Sequence, residues 1–568
     1  MTVLGPEAPS DYEARIVSES FLEFAQLQTW RNVFGAQWEE VSELILPTSR
    51  NTFYYGSWNF PGQKKTDRQI DTSGALALSR FVAILDSLLT PRNMMWHSLQ
   101  ASNKYLMKQR SVRLWFEEVN NLLFYYRYHP TANFSAQNCN HWQGLGAFGN
   151  GNLLIDKYEG ADGFVGLRYL ELPLGEMYWR ENHQKQIDGF IRHFRLTAQQ
   201  AISKFGVENL GEIVKTKADA KDQYPLEFLH RVCPRDDYEP GRLDKKGKIY
   251  ASYYISVIDR KLIREEGYTS FPIAASRYEQ TPNETYGRSP AMMVLPTLKT
   301  LNAIKKDYLT QAHRAGEGVY LTTDDGIVDF TVRPGSMNKG ALNSEGQRLV
   351  DILPTGEIQI TKEMMEGETK IVDAAFLVDL FKILLGDPKI FTATQIVEMM
   401  SQRGILIAPT VGRQQSEYLG NMIPRELDVL SSNRLLPPLP PVMREAVGEY
   451  HIAYASPLVR DMKAQEIAGF QRTVEIATTI SQSTGDPSIM DVFDFPVSLK
   501  DIASQQFVPE PWMSSPERLA MLQKKRADAQ QRAEQTQQAP AMAALLKARA
   551  AQAKAGMTPE ETGQPQGR

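Results

Sequence analysis

The strongest constraint on this chain is a pair of apolar-striped helical segments, residues 289–314 and 366–385, set on either side of a β-rich insertion at 316–360. In the first, Met292, Leu295, Leu298, Leu301, Ile304, Tyr308 and Leu309 recur near the three-or-four spacing that puts side chains on one helix face. In the second, Ile371, Ala375, Phe376, Val378, Leu380, Ile383 and Leu384 do the same. So short a hairpin cannot bury either stripe, so ring assembly from several copies is expected. Ser289 is placed to cap the first helix, with Pro290 at its first position. Pro296 lies beyond the first turn and is expected to kink it. Gly386-Asp387-Pro388 stops the second helix, and Thr392 or Thr394 can cap the next.

Before this unit the chain reads as helical, then β-rich. Helices are expected over 11–46 (with a possible break at Gly35), 72–89, 111–126 and 131–144, and a short strand over 96–101. Gly149-Asn150-Gly151-Asn152 is a turn signal that opens strands at 153–158, 165–170, 176–180, 189–195, 226–232, 250–257, 261–265 and 273–278. A helix from about 197 interrupts them, and a hairpin is expected through 241–247. Strands at 319–322 and 327–332, joined by Asp324-Asp325-Gly326, are expected within the insertion. After it a helical stretch covers 394–432, interrupted near Ala408-Pro409. The run Leu436-Pro-Pro-Leu-Pro-Pro441 forms a stiff connector. Residues 458–481 and 516–536 read as helices. The Ala-, Gln-, Gly- and Pro-rich stretch 537–568 has too few bulky apolar residues to offset ordering and is expected to be disordered or weakly helical.

Composition narrows the function. The formal net charge of −4 over 568 residues argues against tight coating of duplex DNA, but not against a channel through which DNA slides. Two cysteines, Cys139 and Cys233, make no disulfide framework or metal cluster and suit a reducing compartment. Met1–Tyr12 lacks the basic and apolar regions of a signal peptide, and no window is apolar enough for a membrane span. No phosphate loop, His-Glu-x-x-His, Cys-x-x-Cys or Gly-x-Ser-x-Gly is present. His129, His141, His183 and His193 are scattered over different segments. The pairs Asp236-Asp237 and Asp324-Asp325 sit in turn contexts that favour aspartate for backbone reasons. No catalytic residue, cofactor or metal is expected.

The order of parts, with several short motifs, supplies a resemblance. Trp38-Glu-Glu-Val-Ser-Glu-Leu-Ile-Leu-Pro47, Asp71-Thr-Ser-Gly-Ala-Leu76 leading to Leu88-Leu-Thr-Pro91, Trp96, Phe148-Gly-Asn-Gly-Asn-Leu-Leu-Ile155 and Tyr286-Gly-Arg-Ser289 resemble the head-to-tail connecting, or portal, proteins of podoviruses, over about residues 11–530. The resemblance implies an α+β portal fold: an α/β wing over 1–288, stem helices at 289–315 and 363–385, and a small β-containing clip at 316–362. It further implies a tunnel loop at 386–392, a wing helix and connector at 393–457, a helical crown at 458–536 and a flexible tail at 537–568. The implied function is a ring, a dodecamer in the phage, at one capsid vertex, through which the genome is packaged and ejected. Its partners would be the terminase large subunit, a tail adaptor, capsid and scaffolding proteins, and double-stranded DNA held without sequence preference. It would assemble in the host cytoplasm and reside in the virion. Lys389 in the loop, and Lys299, Lys305 and Lys306 off the apolar stripe of the first stem helix, are the candidate DNA-channel residues. The alternatives are another virion structural protein, such as an adaptor or scaffold, or a DNA-packaging enzyme.

Overall fold

The computed structural model describes residues 9–53, 62–103, 105–322, 331, 333–342, 345–353, 358–379, 407–445, 450–454, 457–505, 508, 512–514 and 516–554. Helix α1 (Pro9–Leu44) runs unbroken through Gly35, where a break was expected. Glycine costs a helix only about 1 kcal/mol relative to alanine, and here Phe34 and Trp38 clamp the same turn by packing on Tyr286. Helix α2 (Ser73–Leu89) buries Ala77, Leu78, Phe81 and Leu85 and ends ahead of Pro91. Strand β1 (His97–Ala101), α3 (Arg110–Arg127) and α4 (Phe134–Phe148) follow.

Gly149 then stops α4 in the left-handed conformation, φ +76°, and launches the strands. β2 (Asn150–Glu159), β3 (Val165–Glu171) and β9 (Ile273–Arg277) make a three-stranded antiparallel sheet with β2 at its centre. β4 (Met177–Glu181), β5 (Ile187–Leu196), β6 (Leu226–Pro234), β7 (Tyr250–Ser256) and β8 (Lys261–Tyr268) make a five-stranded antiparallel meander. The crossover from β5 to β6 holds two helices, α5 (Ala198–Phe205) and α6 (Glu212–Asp219), where one was expected. Thr197 and Gln200 close a reciprocal capping box at the start of α5. One continuous core joins α1, α2, α3 and α4 to the smaller sheet, while the first half of α1 packs on the meander through Ile16, Val17, Phe24 and Leu27.

The helical hairpin departs from expectation in two ways. The first limb is two helices, α7 (Pro290–Met293) and α8 (Leu295–Gly316), broken at Val294. Pro296 therefore falls in the first turn of a new helix, where no amide donor is needed, and the expected disruption takes the form of a break at Val294. The second limb, α9 (Ile358–Ala375), starts earlier than expected and stops at Phe376-Leu377, with Leu377 left-handed at φ 60°. Phe376 is fully buried against Phe81 of α2, and the chain turns at Phe376-Leu377 to seat that ring before residues 378–379 become helical again; residues 380–385 lie outside the described residues. At the far end, β10 (Tyr320–Thr322) pairs with β11 (Val350–Ile352). The Asp324-Asp325-Gly326 turn, most of the second insertion strand, and the loop 386–392 with Lys389 lie outside the described residues.

The chain is next described from 407, as a helix that passes through a π-helical turn at Gln415–Leu419 into α10 (Gly420–Ser432). After the proline-rich connector and α11 (Pro441–Glu445), β12 (Tyr450–Tyr454) returns to pair with β1 in register His97 to Tyr454. The remaining helices are α12 (Pro457–Thr484), α13 (Phe495–Gln505) and α14 (Pro516–Lys554). The last continues well past residue 536, into the stretch expected to be weakly ordered. The fold is mixed α+β. Among the described residues no helix is long and apolar enough to cross a membrane.

Candidate functional site at the junction that carries the hairpin

Two of the sequence motifs meet. Gly149, at the end of α4, lies against Gly287, and a Cβ on Gly149 would stand 2.5 Å from the Gly287 carbonyl oxygen. A Cβ on Gly287 would stand 2.6 Å from the Gly149 oxygen, so both positions exclude any side chain. Asn150 sews the contact: its Oδ1 accepts from Gly287 N at 2.7 Å, and its Nδ2 donates to the Phe148 carbonyl at 2.7 Å. Ser289 caps α7 by accepting from Met292 N at 3.0 Å and donates to Ala147 O at 2.8 Å. Tyr286 stacks on Trp179 at 5.2 Å, and its hydroxyl accepts from Trp179 N at 3.1 Å. Burial pushes this phenol up to about 12, so it stays neutral. The start of the hairpin is thus tied into both sheets and α4 by backbone contact.

Helix α10 is fixed by buried charge. Arg127, in the last turn of α3, donates to both oxygens of Glu426, at 3.0 and 2.5 Å, and neither side chain is exposed. Tyr169 of β3 donates to the same carboxylate at 2.5 Å. Burial works against the Arg127 charge, and Glu426 more than offsets it. Arg277 of β9 pairs with Glu181 and, at 3.0 Å, with Glu417 in the π-helical turn. Arg425 donates to the Ile155 carbonyl at 3.1 Å and to Asp428 at 3.0 Å. Tyr418, the neighbour of Glu417, stacks on His141 at 3.9 Å and donates to Asn138 at 2.6 Å. These links are bidentate or multiply bonded, the geometry that makes a buried ion pair specific in position.

None of these charged residues was singled out from the sequence. Arg127 had a signal: Val112, Phe116, Val119 and Leu123 define the buried face of α3, and Arg127 continues that face. A charge on an apolar stripe needs a buried partner, although the stripe alone does not say which. Glu417 and Glu426 carried no such flag, because the π-helical turn shifts the helix phase between them.

The candidate channel lysines fall as follows. Lys299 is exposed and pairs with Glu40 of α1 at 2.7 Å. Lys306 is exposed and Lys305 partly buried. Asn302, between Lys299 and Lys306 on the same face, accepts from Ile70 N and Asp71 N at 2.8 and 3.0 Å and ties that face to the segment before α2. The structure therefore brings Lys299 against its own α1. Of the acidic pairs, Asp237 bonds Arg235 at 3.3 Å and Lys246 at 3.5 Å in a surface turn. His141 is fully buried and meets Ser276 at 3.1 Å; burial pushes it down to about 3, so it is neutral. Among the described residues no group of three or more His, Cys, Asp or Glu side chains is placed to hold a metal ion.

The junction ties the start of the two-helix hairpin, and the buried ion pairs tie α10, to a mixed α+β body. Residues 22–513 match the family described as bacteriophage head to tail connecting protein, and the chain belongs to that family. It is 23% identical over 523 residues to a probable portal protein of Bordetella phage BPP-1, covering 90% of this chain and 91% of that one. It is likewise 23% identical over 536 residues to the portal protein of Salmonella phage epsilon15, covering 92% of each. Among solved structures it resembles a chain from the virion of a native gene transfer agent particle, with a TM-score of 0.35 and 10% identity over 71% of this chain and 85% of that one. Its general role is that of a phage portal or connector protein.

Proposed function

We propose that copies of this chain form a closed ring, a dodecamer in the phage, at one capsid vertex, with α8 and α9 as the channel stem. In this reading β10 and β11 belong to the clip, residues 386–392 with Lys389 form a loop at the channel wall, and α12 to α14 form the crown. Double-stranded DNA passes through without sequence readout, inward with the terminase large subunit docked and outward once a tail adaptor has replaced it. Capsid and scaffolding proteins surround the ring, which assembles in the host cytoplasm and remains in the virion. The role is structural, with no bond made or broken by the chain.

The observation that carries the reading is the arm itself. Its base is anchored on α1 and α2, yet Leu309, Met364 and Ile371 remain 43%, 54% and 51% exposed along its limbs. An arm of two helices that leaves such residues in water has the surface of a subunit awaiting neighbours. The stem and clip, residues 289–385, carry 13 acidic and 10 basic residues, which favours a wall that DNA slides along over one that grips it. Electron microscopy of the purified protein, with light scattering across salt and concentration, tests the proposal. Rings with a central hole are expected, and a monomeric mass under all conditions would sink it.

A further inference from the structure

The last helix carries a charge that the rest of the chain lacks. α14 (Pro516–Lys554) has eight basic residues against three acidic ones, a net +5. The other residues, 55 basic and 64 acidic, sum to −9. The overall −4 therefore conceals a cationic rod attached to an anionic body. Side chains 523–529 and 543–551 are all exposed, and among the described residues Lys524, Lys525 and Arg526 make no ion pair.

A long helix that buries so little is held by whatever covers it. Over its middle an apolar partner has nothing to grip: from Gln523 to Ala539 the only apolar side chains are alanines, and the exposed Met521, Leu522, Leu545 and Leu546 lie outside that stretch. More than two heptads thus pass without a bulky residue to build a seam with another copy. The complement that remains is a polyanion. Consecutive cations on an exposed helix, with no aromatic or bidentate reader among them, suit a phosphate backbone contacted without regard to base sequence.

We infer that α14 binds duplex DNA through its phosphates, with Lys524, Lys525 and Arg526 as the central contacts. That the duplex is the phage genome rests on the connector reading above. The binding itself does not.

The experiment uses the full-length protein and a variant carrying Lys524→Gln, Lys525→Gln and Arg526→Gln. Glutamine is a good helix former and all three sites are exposed, so the helix should persist, with circular dichroism as the check. Affinity for a short fluorescent duplex of arbitrary sequence is measured by anisotropy as salt is varied. Each lost phosphate contact removes about 0.9 from the slope of log K against log salt, so the variant should lose about 2–3. The loss should be the same for unrelated duplexes. Equal slope and affinity in the two proteins would overturn the inference, as would a loss confined to one DNA sequence. If the variant fails to fold, Lys547→Gln with Arg549→Gln, in the same helix, should lower the slope by about 1–2 under the same criteria. Images of the same samples separate the two readings: an absence of rings rejects the connector ring, while the change in salt slope alone decides the role of α14.

Discussion

Arg127 and Glu426 show how strongly a single residue can act here. Both are wholly buried, and the carboxylate also accepts from Tyr169. Glu426→Ala leaves a guanidinium without its counter-charge inside the core and is expected to cost about 3–5 kcal/mol. Replacing both partners at once, Arg127→Met with Glu426→Leu, should cost much less, since no unpaired charge remains. Denaturant unfolding of the three variants measures the difference, and equal losses would show that shape, and not charge, is at stake. Glu171 offers a pH test. Burial, with the neighbouring Glu176 charge, pushes its carboxyl up to about 7 against the opposing pull of Arg192. The folded state thus binds this proton more tightly than the unfolded one, whose carboxyl titrates near 4.5. Its favourable contribution is complete below that value and is lost as pH rises to about 7. Glu171→Gln should accordingly raise the unfolding temperature at pH 8 and change it little at pH 5; an equal shift at both would contradict the assignment.

At the scale of elements, much was legible because it is local. Ser289 and Pro290 announced the start of α7, and Gly149 announced the change from helix to strand, although α4 runs to Phe148 and not to the expected 144, since caps and turns depend on neighbours in sequence. The strands of both sheets followed from their alternation and turns. What could not be read were outcomes decided by distant contact. Gly35 stays helical because Trp38 is held by Tyr286, α9 is interrupted at Phe376-Leu377 where Phe376 is seated on Phe81, and β12 has a partner only because β1 offers an edge 353 residues away. The meeting of Gly149 with Gly287 was equally hidden: each motif was visible, their adjacency was not. At the candidate channel residues, Lys299 bonds Glu40, so the weight of the prediction rests on the loop. Lys389→Ala should leave ring formation intact and alter packaged genome length or DNA retention. Unchanged packaging and retention would remove Lys389 from the channel wall.

The whole molecule is closed by contacts between its early and late segments. β12 completes the edge of β1, and Glu426 neutralises Arg127 from 299 residues downstream. Biosynthesis meets these pairs in a fixed order. At roughly 5–20 residues per second, a ribosome that has made Arg127 needs about 15–60 s more to reach Glu426. During that interval the first four helices lack the helix that lies against them, and the part of the core that α10 covers is incomplete. Stalled nascent chains ending at residue 400 should therefore be cut by protease within α3 and bound by chaperones, whereas chains extended past residue 460 should resist. Resistance that set in before residue 426 had left the ribosome would mean that the early helices stand alone. The buried bond that fixes α10 thus also sets a clock: the early helices are not closed over until residue 426 has left the ribosome.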